Sequence, residues 1–201
     1  MLKKNNYYKL FLFFIIIIIF FLFIIFNKII LFPIYMSKKN ISAIVCFNEK
    51  KIQGTIEFYE NVKDNTVTIK INLTGFKKNS IHAMHIHAAG DLRDNCMGAC
   101  AHFNPYNKNH GGIDSKERHV GDLGNIKSDE HGNVVMILTD KLIKLRGTKC
   151  NIIGRSVVIH ENEDDLGLGG HDDSLTTGHA GGRMACAVIG YSRDNFKSLH
   201  T

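Results

Sequence analysis

The stretch from His82 to Asp122 holds His82, His85, His87, His102, His110 and His119, six of the chain's eleven histidines, and closes on a carboxylate. It reads I-H-A-M-H-I-H-A-A-G-D, then C-M-G-A-C-A-H-F-N-P, then N-H-G-G and E-R-H-V-G-D. On a strand, residues two apart point to the same face. His85 and His87 can therefore aim both rings at one ion with little backbone distortion. His102, His110, His119 and Asp122 follow at loop-like spacing, among glycines and a proline. Three imidazoles and a carboxylate suit a closed tetrahedral zinc site. An all-imidazole set with room left over suits a redox-capable copper ion. With His82 set aside, the six donors of this stretch fall short of two such sites, so a ligand is shared or another comes from elsewhere. A lone histidine is more often structural than a ligand, and it is the clustering that points to metal.

The elements that must carry these residues are short and alternate with period two. Ala43 to Phe47 is one candidate strand; Ile52, Gly54, Ile56 and Phe58 mark a second, and Val67, Ile69, Ile71 and Leu73 a third. Ile81 to His87 carries the first ligands. Val120 to Asn125, Val134 to Thr139, Ile152 to His160 and Ala185 to Tyr191 complete the set. Turn chemistry at Asp64-Asn65, Gly132-Asn133 and Arg146-Gly147 separates them. Eight short strands without a long helical pattern predict an all-β sandwich or barrel with no internal repeat. Two long loops, Ala88 to His119 and Glu161 to Met184, exceed the usual length of connections in a compact domain, which marks them as functional. The second is too polar and glycine-rich for core.

An appendage precedes this domain. Lysines at 3, 4 and 9 lead into an unbroken run of Leu, Phe and Ile from Leu10 to Phe26, and the apolar character resumes from Ile29 to Ile34. The expected organisation is a hydrophobic segment at 1–36 and a domain at 37–201. Residues 10–34 read as a signal anchor held in a membrane rather than a cleaved signal, because no Gly, Ala, Ser or Thr offers a cleavage site in residues 1–36. Lys28, Lys38 and Lys39 balance the near-side lysines, so charge does not fix an orientation. A start at Met36 would instead give a soluble intracellular protein. The formal charge of +6 is mostly a property of the leader: four of the 25 basic residues precede residue 37, leaving 21 against 19 acidic. No basic run is interleaved with aromatics, which argues against nucleic acid as a partner. Five cysteines do not match a zinc ribbon. A disulfide from the first loop to the strand near Cys186 would hold the loop against the barrel, but spacing alone does not select the pair.

Across residues 41–192 the motifs resemble the copper/zinc superoxide dismutases: H85-I-H87, H102-F-N-P, H110-G-G, E117-R-H119-V-G-D122-L-G-N, I153-G-R-S-V-V-I-H160-E and G178-H-A-G-G-R183-M-A-C186-A-V-I-G. The resemblance implies an eight-stranded Greek-key β-barrel or sandwich and an enzyme that converts two superoxide anions and two protons to oxygen and hydrogen peroxide. It implies copper on His85, His87, His102 and His160, and zinc on His102, His110, His119 and Asp122, with His102 bridging. Asp164 matches the aspartate linking a copper ligand to a zinc ligand, Cys96 and Cys186 match the intrasubunit disulfide, and Arg183 matches the arginine that positions superoxide. By the same resemblance His102 takes part in proton transfer, the protein is a homodimer, and a copper-delivery protein is a candidate partner.

Departures from the pattern are local. Family lysines of the second loop correspond to Asn162, Leu168 and Thr176, while Asp172 and Asp173 keep their negative charge, which predicts weaker steering of the anion. Cys100 stands where the family usually has a small residue. His171 and His179 are additional and take a structural or solvent-exposed reading. The rival functions are a catalytically weak copper-binding or decoy protein on the same fold, and a copper-delivery protein. The first is disfavoured by the complete copper set with Arg183, and the second by the lack of a separate thiol pair.

Overall fold

In the computed structural model the chain divides into two units, Met1–Lys39 and Asn40–Thr201. The structure describes the backbone of residues 4–31, 40–48 and 51–199, and the side chains of residues 11–25, 40–48 and 51–196. The alternative start at Met36 and the last residues of the expected leader lie outside the described residues. In the first unit, helix α1 (Lys4–Leu31) carries uniformly exposed apolar side chains from Phe11 to Ile25. Among the described residues, no helix is long and apolar enough to cross a membrane. The expected transmembrane signal anchor through 10–34 therefore finds no support among the described residues.

The second unit is built from β1 (Ser42–Asn48), β2 (Gln53–Asn61), β3 (Thr66–Thr74), β4 (Ile81–His87), β5 (Asp122–Lys127), β6 (Val134–Asp140), β7 (Ser156–His160), β8 (Arg183–Val188) and β9 (Gly190–Tyr191). They form two antiparallel sheets, ordered β6-β3-β2-β1-β9 and β5-β4-β7-β8. The pairings β3–β6 and β4–β7 bring together strands that are not consecutive in the chain, in the Greek-key manner. The final strand expected at Ala185–Tyr191 is split at buried Ile189, which hands the chain from the four-stranded to the five-stranded sheet. The strand expected from Ile152 begins only at Ser156, because Ile152 to Arg155 form a turn with Gly154 at φ +80°. The core lies between the sheets. Val45, Ile56, Phe58, Ile69 and Leu73 from one sheet meet Met84, Ile86, Val157 and Ile159 from the other, all fully buried. Each such side chain contributes roughly 1.5–3 kcal/mol on burial.

Alternation explains how this sheet can serve two purposes. On β4, Met84 and Ile86 point into the core, so His85 and His87 must point to the opposite face. That outer face is buried as well, under the two long loops. Bulges then re-aim neighbouring side chains. The β4–β5 register shifts between Ala83 and His85, which sets Asp122 opposite His85, and Gly124 in the shifted stretch has φ +80°. The β7–β8 register shifts between Ile159 and His160, which sets Arg183 opposite His160.

Two ties hold the first loop down. The Cys96–Cys186 disulfide joins it to β8 over a separation of 90 residues and packs with Ala99 and Val158. The second tie is a buried ion pair from Arg118 to Asp140 at the end of β6, with side chains 3% and 0% exposed. Arg118 also donates to the Asp122 carbonyl at 2.6 Å. Asp140→Ala is expected to destabilise the domain by roughly 3–5 kcal/mol, because it leaves a buried guanidinium without its counter-charge. Urea unfolding of the metal-loaded variant measures this, and a loss under about 1 kcal/mol, the range of surface pairs, would contradict it.

Candidate metal centre

Strand β4, strand β7, the first loop and the start of β5 converge on one buried volume. Two sets of donors lie close enough to hold an ion, with atoms within 4.8 Å of one another: His85, His87, His102 and His160, and His102, His110, His119 and Asp122. His102 belongs to both. Its Nδ1 lies 3.0 Å from Asp122 Oδ1 and 3.4 Å from His119 Nδ1, and Asp122 Oδ1 is 3.1 Å from both His119 Nδ1 and His110 Nδ1. A tetrahedral ion with bonds of about 2.0–2.1 Å needs its donors about 3.3–3.4 Å apart, so this set fits such an ion. In the other set, His87 Nε2 and His160 Nε2 are 3.3 Å apart.

The chemistry of the leftover atoms makes the same point. His85 Nδ1 and His102 Nε2 are buried without a hydrogen-bond partner, and His110 Nδ1 makes no well-aligned hydrogen bond, having only the Asp122 carboxylate oxygen at 3.1 Å. Such atoms are costly unless something electropositive occupies the space they face. The opposite nitrogens are held. His85 Nε2 meets Asp164 Oδ2 at 2.7 Å, His110 Nε2 meets Asp164 Oδ1 at 2.8 Å, and His87 Nδ1 meets the Cys100 carbonyl at 2.8 Å. This is the outer hydrogen-bonding that fixes which nitrogen of a ligating ring faces the ion. The residues therefore fit both a copper ion and a zinc ion.

Asp164 is itself anchored by a residue that sequence reasoning passed over. Asn125 on β5 accepts from the Asp164 amide at 2.8 Å and donates to its carbonyl at 2.9 Å. Gly178 was also missed, although it stands in a quoted motif. A Cβ there would lie 2.1 Å from Asp164 Oδ1 and 2.5 Å from His110 Nε2. His82, outside both clusters, bonds the His160 carbonyl at 2.9 Å and so steadies a ligand strand. Arg183 donates to the carbonyls of Cys96 at 2.5 Å and Cys100 at 2.6 Å, sharing the latter with His87. Cys100 adopts φ 64° and ψ −150°, a region natural to glycine, to present that carbonyl. His171 and His179 stack at 3.8 Å and belong to neither set; His179 pairs with Asp173 and is half-exposed.

The family model for copper/zinc superoxide dismutase matches residues 52–189. The chain belongs to the copper/zinc superoxide dismutases. It is 53% identical over 158 residues to the superoxide dismutase [Cu-Zn] of Paramecium bursaria Chlorella virus 1, covering 79% of this chain and 82% of the relative. It is 49% identical to the Yarrowia lipolytica enzyme, covering 71% of this chain and 92% of the relative. Identity to the extracellular superoxide dismutase [Cu-Zn] of Drosophila melanogaster is 48%, with 70% of this chain and 76% of the relative covered. Among solved structures, the clock protein EA4 superposes with a TM-score of 0.73 at 40% identity, covering 79% of this chain and 99% of that one. The protein is thus a copper- and zinc-dependent superoxide dismutase, and the catalytically weak alternative is not favoured.

Burial sets the protonation of the metal-free centre. It pushes His85 down to about 3, His87 to about 2 and His160 to about 4, with nearby His102 adding to each. Burial alone would also lower His110, but the Asp122 and Asp164 carboxylates raise it to about 9. Burial opposes ionisation of Asp122 and Asp164, yet hydrogen bonds from the histidines hold both well below the usual carboxyl range. A ring with a depressed folded pKa binds fewer protons folded than unfolded, so its folded state loses stability as pH falls below about 6.5. The raised His110 does the reverse: its contribution is full below about 6.5 and is lost as pH rises through about 9. The carboxylates contribute above about 4 and lose that contribution at more acid pH. The metal-free domain should therefore lose stability as pH falls from about 6.5 to about 4, a window in which the depressed rings, His102 among them through its burial, dominate. Urea midpoints across this range test it, and a midpoint that rises toward the acid end would contradict it.

Proposed function

We propose that copper is held by His85, His87, His102 and His160, and zinc by His102, His110, His119 and Asp122. The observation that carries this assignment is His102, which belongs to both donor sets, with Nδ1 beside Asp122 and Nε2 buried without a partner. Copper bound in this way supplies alternating one-electron oxidation and reduction of superoxide, and zinc supplies fixed positive charge without redox chemistry. The residues do the rest. Asp164 locks the His85 and His110 rings by accepting from both Nε2 atoms. His102 Nε2, buried and free of other partners, is the atom at which a proton is taken up and returned between the half-reactions. Arg183 attracts the anion and holds it at the mouth, its own orientation set by the Cys96 and Cys100 carbonyls.

The second loop offers less help than is usual in the family. Leu168 is 84% exposed and Thr176 is exposed in α2 (Ser174–Thr177), where relatives place cations. Clefts lined by one sign of charge raise the on-rate of an oppositely charged substrate, and salt removes that gain. Arg183→Ala should reduce dismutation at least about tenfold while both metals stay bound. Thr176→Lys should raise the rate at low salt and steepen its fall as salt approaches about 0.1 M, where the Debye length is about 10 Å. Metal analysis with steady-state superoxide consumption across ionic strengths checks both. A wild-type rate that already falls steeply with salt would assign the steering to another group.

Homodimerisation belongs to the same proposal, supported by the family's habit and by exposed apolar side chains at Leu92, Met97, Val188 and Tyr191. A copper-delivery protein is the proposed source of copper. The leader is proposed to direct export, supported by the extracellular relative, with retention at a membrane proposed from the apolar sequence of residues 10–26. In carbonate-washed membranes of the expressing cell the full chain should stay in the pellet and a chain starting at Met36 in the supernatant. Equal partition would contradict retention.

A further inference from the structure

Lys108 and Lys116 of the first loop have no place in the metal centre, yet they do not simply face open solvent. With Lys141 they line a cleft of about 320 Å³ whose floor is the buried Arg118–Asp140 pair and whose remaining acid is Asp114. Four cations against two acids give this lining a net charge of +2. The whole chain from residue 37 onward carries 21 basic and 19 acidic residues, so one cleft matches its entire excess of positive charge. Asp140 is already satisfied by Arg118 and by the amides of Leu142 at 2.6 Å and Ile143 at 2.7 Å. Lys108 Nζ donates to the Lys116 carbonyl at 3.0 Å, which ties the two ends of this loop segment together. Among the described residues, no carboxylate pairs with Lys108, Lys116 or Lys141. The hydroxyls of Ser115 and Thr139 are the neutral donors in the lining.

A cleft concentrates the field of like charges that line it. Lysine ammoniums are compact point charges suited to phosphate oxygens, each able to give a charge-assisted hydrogen bond. The volume is in the range of small-ligand sites. We propose that this cleft is a binding site for a phosphate-class dianion, either free phosphate or the phosphoryl group of a small metabolite. The match of a net +2 lining to a group of about −1.5 to −2 charge favours a dianion over superoxide, a monoanion. The proposal is independent of how the two metals are assigned.

The test is binding of inorganic phosphate to the full-length, two-metal protein by calorimetry, at constant ionic strength made up with chloride. One phosphate per chain is expected. Lys116→Ala and Lys141→Ala should each weaken it about tenfold, the loss of one charge-assisted hydrogen bond. Both variants should keep normal dismutation, and Arg183→Ala should keep the phosphate. Absence of binding, binding unaffected in the double lysine variant, or binding lost only in Arg183→Ala would overturn the proposal, the last because it moves the anion to the metal mouth. Glycerol 3-phosphate distinguishes the sources: binding with the same lysine dependence identifies a phosphoryl group carried on a metabolite, and its failure beside bound phosphate identifies the free ion.

Discussion

Buried imidazole nitrogens that face one another without well-aligned partners are the constraint around which this domain is arranged. His85 Nδ1, His102 Nε2 and His110 Nδ1 are shut away from water and aimed inward. Such groups are tolerable only where their far sides are fixed and a cation supplies the missing partner. Asp164 and Asp122 do the fixing from opposite sides of the cluster. Each carboxylate touches more than one ring, so neither metal set can shift without disturbing the other.

The architecture around that cluster follows from needing a sheet buried on both faces. Core packing occupies one face of β4 and β7, and the histidines occupy the other, so two long loops must cover what would otherwise be wet. Each loop is tied where it matters. The first is held by the Cys96–Cys186 disulfide and by Arg118, whose guanidinium spans from the Asp122 carbonyl to Asp140. The second is held through Asp164 on Asn125, and through the His110 amide, which donates to the Leu175 carbonyl at 2.8 Å. The same ties position Arg183, because the carbonyls it grips belong to Cys96 and Cys100.

How much of this could be read in the chain depended on distance along it. His85 and His87 follow from strand parity, and His102, His110, His119 and Asp122 from clustering. His160, Asp164 and Arg183 lie 38 to 61 residues beyond Asp122 in sequence, and only family resemblance pointed to them. Asn125 and Gly178 act through close contact with Asp164, with no local pattern to betray it. Arg118 offered a faint trace, a charge set beside a ligand in E-R-H-V-G-D. The bulges at β5 and β8 could not be foreseen, because register is a property of two strands and not of one. The break at Ile189 is of the same kind, since it depends on which sheet each half of the strand joins. The transmembrane reading of the leader rested on the length of its apolar run and the lack of a cleavage site, and among the described residues no helix is long and apolar enough to cross a membrane.

The central claim is that one ring, His102, connects the two metals. Its most direct test is electron paramagnetic resonance of the oxidised protein with cobalt(II) in place of zinc. A shared imidazolate couples the two paramagnetic ions, so the copper(II) signal of the cobalt-substituted protein should be strongly suppressed and should return when zinc replaces the cobalt. A full-intensity copper(II) signal with cobalt bound at the second set would mean that the ions do not share His102, and would contradict the account.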